Sequence, residues 1–519
     1  MNLAKHTTRS PGLARRWLRR AVEAPLERTV GGPARLRVVV LLACVLGLNT
    51  ADAATVGAIA PELEAALHIS NTGIGLLVTA STGVGAVSTL PLGMLADRIN
   101  RARMLTVAIV IWSAAMVISG AVPSYPMLLI SRLALGVVVG AAAPAVASLI
   151  GDMFQPDARG RIYGYVLSGE LIGAAVGYLL CGNLAAALSW RFGFWILAPP
   201  GLALAWAIHR LLPEPARGGA SRIRQGQRHL PTAEQARAQR SARTAESEPG
   251  NGDAEAAPLQ QEVQAEGIAP HPAPVGRPNP ARQSLGWAVR YVLSIRTNTF
   301  LIVASSLGYF YFTGLQTFAV VYLQGRFALG QAGASTLFVA IGLGGVVGVL
   351  LGGRIADRLI ARHHIQARPA VAGVAFGMSA VLLAGGILVP PLGLAVPLLF
   401  LAAAALGGAN PPLDAARLDI MHSRLWGRAE SIRTVLRSSL VAVAPLTFGL
   451  LSVAMGGPTA SPRTVAPEQG SALGLERTLL SMLVIVVVAA AILLIWARRS
   501  YPRDVATAHA FEQATAEDS

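Results

Sequence analysis

Twelve apolar stretches, each about long enough to cross a lipid bilayer, govern what this chain of 519 residues can fold into. A helix spans a hydrocarbon core of about 30 Å with roughly 20 predominantly apolar residues. Such stretches run near 38–60, 73–95, 104–122, 126–149, 163–186 and 193–212, and again near 299–323, 332–354, 369–390, 393–415, 434–456 and 475–497. Only 13% of the residues are charged and 53% are hydrophobic. A soluble domain carries about 25% charged residues, so this chain lacks the polar surface that water would require. Backbone groups in lipid must be satisfied within their own segment, which makes helices the default, and the 54 glycines suit close helix–helix approach. The expected fold is therefore an all-α membrane protein of twelve transmembrane helices. The first run follows an arginine-rich arm and precedes Glu62 and Glu64, which favours a retained first span over a cleaved signal peptide. Two cysteines, Cys44 and Cys181, both in apolar runs, exclude a disulfide scaffold or a cysteine-rich metal centre.

The formal net charge of +16 first suggests a nucleic-acid partner, but its distribution argues otherwise. If the N-terminus is cytoplasmic, 38 of the 43 basic residues fall on cytoplasmic segments. The opposite connections carry only Arg191, Arg326, Arg463 and Arg477, and Arg132 remains within a span. The excess of Lys and Arg on cytoplasmic loops then places both termini in the cytoplasm of a multi-pass cell-membrane protein, which an even number of spans requires. DNA binding is excluded because the arginines are dispersed rather than gathered on one basic domain.

The organisation follows: a basic arm over 1–37, a six-helix bundle over 38–212, a cytoplasmic linker over 213–297, a second bundle over 298–498 and a tail over 499–519. The linker is rich in Pro, Gly, Ala, Gln and charge with little periodicity, the composition of a disordered tether, and Trp287 to Tyr291 near its end suit a short interfacial helix. The two bundles echo each other. At an offset of 260, Ala80, Gly85, Gly93 and Ala96-Asp97-Arg98 align with Ala340, Gly345, Gly353 and Ala356-Asp357-Arg358. Gly160-Arg161 similarly echoes Gly427-Arg428. Two pseudo-symmetric six-helix halves are the pattern of transporters whose central site lies at the repeat interface.

Gly93-Met94-Leu95-Ala96-Asp97-Arg98-Ile99-Asn100-Arg101-Ala102-Arg103, after the second span, resembles the G-x-x-x-D-R-x-G-R-[RK] loop of the major facilitator superfamily. Asn100 stands where the motif has its second Gly, and Asn also adopts the left-handed conformation. The second copy keeps Gly353, Asp357 and Arg358 and then degenerates. The resemblance covers the whole membrane part and implies that fold, with a cytoplasmic gate. On this resemblance, Asp97 latches against the start of the eleventh span, where Arg433 and Arg437 lie, and Asp357 against the start of the fifth, near Arg159 and Arg161. Such latches would stabilise an outward-open state. The first-span run Leu48-Asn49-Thr50-Ala51-Asp52 is similar to that of spinster-like lipid transporters, and the first-span Asp also to that of multidrug exporters. Ala53 stands where spinster-like proteins have Arg, Val139 where they have an acid, and Gly169, Gly173 and Gly177 lack the closing Pro of the drug exporters.

Charged residues inside spans cost about 2.5–3.5 kcal/mol each on insertion scales, so each is a functional candidate. Asp52 lies about 15 Å from the outer end of the first span, Arg132 about 9 Å inward on the fourth, and Glu170 about 14 Å up from the inner end of the fifth. Arg132 is expected to face Asp52 or Glu170. A carboxylate there can change protonation as its environment alternates, which is the physics of proton coupling, whereas a permanent pair would only fix helix packing. The second half offers aromatic and amide groups instead, with Tyr309, Tyr311 and Gln316 on the seventh span and Asn410, before a Pro pair, on the tenth. Together with Asn49 these are the candidate substrate-cavity residues, suited to an apolar or amphipathic ligand.

The sequence thus points to a secondary transporter that couples protons to export of hydrophobic or amphipathic small molecules. Import of organic anions or other metabolites and a non-transporting membrane sensor or scaffold remain alternatives. No cofactor is called for. Neither a His-Glu-x-x-His, a Gly-x-Ser-x-Gly nor a Walker loop occurs, which argues against an enzyme and against direct use of ATP.

Overall fold

Every described stretch that the apolar pattern marks as a span is helical, and the described residues contain no strand. The computed structural model describes residues 30, 32–96, 99–154, 156–212, 214, 266–271, 285–421, 425–456 and 467–517. The arm over 1–29 and most of the linker therefore lie outside the described residues.

The first three spans are Pro33–Ala58, Asn71–Ala96 and Arg101–Ala121. The fourth is built from Tyr125–Val139 and Ala142–Met153, the fifth from Pro156–Val176 and Gly182–Ala187 joined by a π-helical turn at Gly177–Cys181, and the sixth from Trp190–Trp195 and Ala198–Leu211. After a short helix, Leu285–Ser294, come the seventh (Arg296–Phe327), eighth (Gln331–Ile360) and ninth (Ala367–Leu388). The tenth breaks between Leu392–Gly408 and Asn410–Asp419, and the eleventh between Trp426–Ala442 and Ala444–Met455. The twelfth, Pro467–Ala491, runs through a π-helical turn at Ile492–Ala497 into the tail helix Arg498–Glu517. Eleven of these spans are apolar and long enough to cross a membrane by composition alone. The seventh is the longest single helix, at 32 residues, and its buried Thr297, Asn298, Ser305, Ser306 and Thr317 lower its apolar character. It packs against the first, eleventh and twelfth spans, inside the bundle.

Breaks fall where the sequence supplies them. Pro411 and Pro412 cannot donate to the preceding turn, so the tenth span restarts at Asn410. Asn100 does not adopt the left-handed conformation that its place in the motif allows. Its φ is −68° and ψ 115°, and its side-chain oxygen accepts from the Arg103 N–H at 2.7 Å, capping the third span.

Small residues set the contacts within each half. A Cβ added at Gly177 would lie 2.6 Å from the Ala51 carbonyl oxygen, so the fifth span rests directly on the backbone of the first. The eighth span packs on the tenth through Gly344, Gly348 and Gly352, as the second packs on the fourth through Gly136 and Gly140. The repeat seen in the sequence is thus a repeat of packing.

Between the halves, the contacts cluster away from the face at which the sixth span ends and the seventh begins, here called the terminal face. Tyr178 OH donates to the Gln316 carbonyl at 2.5 Å, and its ring meets Phe338 with centroids 4.6 Å apart. Gln331 donates to the Ala58 carbonyl, and the Leu446 N–H donates to Thr79 Oγ1 at 3.2 Å. The helix Ala60–Leu67, beyond the first span, packs against the seventh. At the terminal face, by contrast, the ion pairs of the described residues stay within one half. Arg101 pairs with Asp152 at 2.5 Å and Glu214 at 2.8 Å, while Arg368 pairs with Asp419 and, at 3.8 Å, with Asp357.

Candidate functional site

Arg132 cannot sit in lipid or in a dry bundle without an acceptor, and the first span supplies one. Its Nη1 donates to Asp52 Oδ1 at 2.6 Å, with the side chains only 1% and 6% exposed. The guanidinium also lies over the Phe194 ring of the sixth span, 4.4 Å from its centroid, a cation–π contact in a water-poor setting. Arg132 Nε and Nη2 find no partner among the described residues. The pair thus rests on a single bond, with two arginine donors left over. Truncating either member leaves an uncompensated buried charge, at a cost of about 3–5 kcal/mol. Asn49, one helical turn before Asp52, is half-buried.

Glu170 is the carboxylate that Arg132 does not take. It is half-buried on the fifth span and forms no ion pair among the described residues. Its charge instead lies within Coulombic reach of Arg437, on the eleventh span of the other half. Arg437 stacks over Tyr309 of the seventh span, 4.3 Å from the ring centroid. Tyr309 and Arg437 are both half-buried, so Glu170, Tyr309 and Arg437 converge from three spans and both halves.

The remaining expected cavity residues separate. Tyr311, two positions from Tyr309, points the other way round its helix and is fully buried. It donates to the Leu479 carbonyl at 3.3 Å and meets Phe448 edge-on, so it belongs to the packing of the second half rather than to a cavity. Gln316 contributes its backbone carbonyl to the contact with Tyr178, and Asn410 is half-buried at the break in the tenth span.

The gate residues are likewise distributed. Gly93 lies within the second-span helix, and Asp97 and Arg98 lie outside the described residues, as do the side chains of Arg159 and Arg161. Arg101 is a buried tie within its own half, held by Asp152, Glu214 and, at 2.7 Å, Ser148. Gly353 faces Pro411, and Arg358 is exposed. Asp357 is 70% exposed and its partner is Arg368, in the same half. Arg433 is held in a two-point pair by Glu430, one of its bonds being 2.9 Å.

Two features escape sequence reasoning. Asp152 and Glu214 are 62 positions apart and come together only because the fourth and sixth spans end beside the start of the third. Arg417, near the terminal-face end of the tenth span, has the position of a surface residue but is 8% exposed. One of its nitrogens pairs with Asp414, while Nε and Nη1 have no partner among the described residues. Outside the spans, burial raises the Glu62 carboxyl to about 7 and the Glu64 carboxyl to about 8, and an oxygen of each is buried without a partner among the described residues.

Known proteins resemble this chain at three levels. The sequence profile of the Major Facilitator Superfamily matches residues 42–445. The chain is 36% identical over 186 residues to the puromycin resistance protein of Streptomyces alboniger, covering 35% of this chain and 36% of that one. It is 31% identical over 166 residues to a probable 4-methylmuconolactone transporter of Cupriavidus pinatubonensis (31% and 39% covered), and 26% identical over 202 residues to human protein spinster homolog 1 (38% of each). These matches span less than two fifths of the length of each relative. Among solved structures, a bacterial homologue of the human lysosomal transporter spinster, in an inward-facing and unoccupied conformation, superimposes with a TM-score of 0.70 at 19% identity, covering 91% of this chain and 98% of that one.

Proposed function

The chain belongs to the major facilitator superfamily, and from that membership we propose that it couples protons to the export of hydrophobic or amphipathic small molecules by alternating access. Its class is that of a multi-pass secondary transporter of small molecules. The observation that carries the coupling is the buried Asp52–Arg132 pair. Asp52 Oδ1 accepts from Arg132 at 2.6 Å. When the cavity turns and water reaches Oδ1, a proton there cancels the carboxylate charge and loosens the arginine, which already has two unmet donors. Protonation thus trades a strong charge-assisted bond for a weaker neutral one, and the first and fourth spans can shift against each other.

The cytoplasmic side is assigned to the terminal face, because the sequence segments that connect the spans on that side, with the two terminal segments, carry 38 of the 43 basic residues. The halves are joined on the opposite face, so this conformation is the one open toward the cytoplasm, where an exporter loads. In it Arg433 and Arg437 are engaged by Glu430 and Tyr309 within their own half. Export is supported by the resistance protein among the relatives. A second reading, import of an organic anion, is favoured by the excess of arginine over acid where Arg417, Arg433 and Arg437 gather in the second half.

Reconstitution in liposomes with an imposed pH gradient tests the coupling, with lumenal pH followed as amphiphiles of differing charge are added. The wild type moves protons in response to a transported solute. Asp52→Asn or Glu170→Gln abolishes that flux while the protein still folds, and unchanged proton flux in both variants refutes the coupling.

A further inference from the structure

Three arginines of the tenth and eleventh spans, Arg417, Arg433 and Arg437, lie within Coulombic reach of one another, and both spans pack against the seventh, which carries Tyr309. Two acids of the same half answer them, and each is committed: Asp414 to Arg417 and Glu430 to Arg433. One positive charge is left over in this cluster. The residues that carry it are not the solvated arginines of a membrane-facing loop, such as Arg358 and Arg362, which are exposed. Arg417 is 91% buried at its side chain and has two nitrogens, Nε and Nη1, without an acceptor among the described residues. Arg437 makes no ion pair among the described residues, and its stacking on Tyr309 occupies the face of the guanidinium, leaving the donors on its edge available. Buried donors without acceptors are costly, and a guanidinium fork fits planar or tetrahedral oxyanions better than any other ligand chemistry.

We propose that Arg417 and Arg437 form the binding site for an anionic group, a carboxylate or a phosphate monoester, on the transported molecule, with the Tyr309 ring as the wall beside it. The proposal rests on reading the chain as a transporter and names the substrate class of that same cavity. Glu170 is the resident counter-charge, facing Arg437 from the other half. An arriving oxyanion competes with it, so occupancy of the arginines and the charge of Glu170 are linked across the interface between the halves. The Asp52–Arg132 pair takes no part in holding the anion, because the Arg132 charge is already matched by Asp52 within the first half.

The test is calorimetric binding to the purified full-length protein in a neutral detergent, with decyl phosphate, decanoate, inorganic phosphate, decanol and decyltrimethylammonium as probes. Decyl phosphate or decanoate binds at least about tenfold more tightly than decanol, the size expected for one charge-assisted bond. Arg417→Gln and Arg437→Gln each weaken anion binding about tenfold, and Arg499→Gln, an exposed residue of the tail helix, leaves it unchanged. Should Arg417→Gln fail to fold, Arg417→Lys keeps the charge and loses the fork, and it still weakens phosphate binding several-fold. Tighter binding of decyl phosphate than of inorganic phosphate assigns the site to an amphiphile, and equal binding assigns it to a free anion, both within the proposal. Decanol or decyltrimethylammonium binding as tightly as decyl phosphate overturns it, as does unchanged affinity in Arg417→Lys and Arg437→Gln together. Asp52→Asn retains anion binding; proton flux undiminished in that variant with anion binding intact is a failure of the coupling alone, and coupled flux in the wild type without anion preference is a failure of this site alone.

Discussion

The two halves repeat each other in packing but not in charge. In the first, an acid and an arginine from neighbouring spans cancel in a buried contact of 2.6 Å, sealed by the Phe194 ring. In the second, three arginines gather around two acids and an aromatic ring, so that positive charge is left unanswered there, whereas at Arg132 only N–H donors are. On the proposed function, the matched pair is the element that protonation would loosen. An open excess waits for a ligand. The difference suggests a division of labour in which one half responds to protons and the other recognises cargo, with Glu170 and Arg437 facing each other between them.

The comparison breaks most visibly at Arg132. Arg132→Leu leaves Asp52 unpaired and destabilises the protein by about 3–5 kcal/mol, readable as a large loss of thermal stability in detergent. The double variant Asp52→Leu/Arg132→Leu recovers most of that loss, since an apolar pair has no charge to satisfy. Arg437→Leu, in the open cluster, costs far less stability and shows instead as lost ligand binding. Next in size is the first half's close packing. Gly177→Val pushes a side chain against the Ala51 backbone and costs about 1–3 kcal/mol, whereas Gly345→Ala, whose added Cβ has its nearest neighbour 3.7 Å away, is near neutral in the same melt.

Contacts between the halves carry less. Tyr178→Phe removes the bond to the Gln316 carbonyl, worth about 0.6 kcal/mol in a membrane protein, and shifts the population open toward the opposite face about threefold. Distance distributions between spin labels placed across that face measure the shift. The smallest effect concerns pH. Glu62 and Glu64 are raised by burial in this conformation, so it binds more protons than one in which they are hydrated. Its stability relative to the opened state is therefore greatest near pH 4.5, falls as pH rises to about 8, and levels off above. The same label distances followed against pH test this, and Glu62→Gln/Glu64→Gln flattens the curve.

Spans and the repeat were legible in the sequence because each apolar run satisfies its own backbone and needs no partner to be recognised. Rotation of one helix against another was not. The spans are apolar almost all round, so periodicity could not decide whether Arg132 meets Asp52 or Glu170, nor separate Tyr309 at the cavity from Tyr311 in the packing. Arg101 matched a loop motif, yet its partners Asp152 and Glu214 come from the ends of two other spans that only the folded bundle assembles. Arg417 sits where sequence position suggests a surface residue, and only burial shows that its donors lack acceptors.

The central claim is that Asp52, through its pair with Arg132, carries the coupling of transport to protons. The most direct measurement compares proton flux and solute exchange for wild type and Asp52→Asn in the same liposomes, using whichever charged amphiphile the wild type moves. The account predicts that Asp52→Asn loses uptake driven by the pH gradient while retaining exchange of solute across the membrane at equal pH. Gradient-driven transport undiminished in Asp52→Asn would contradict it.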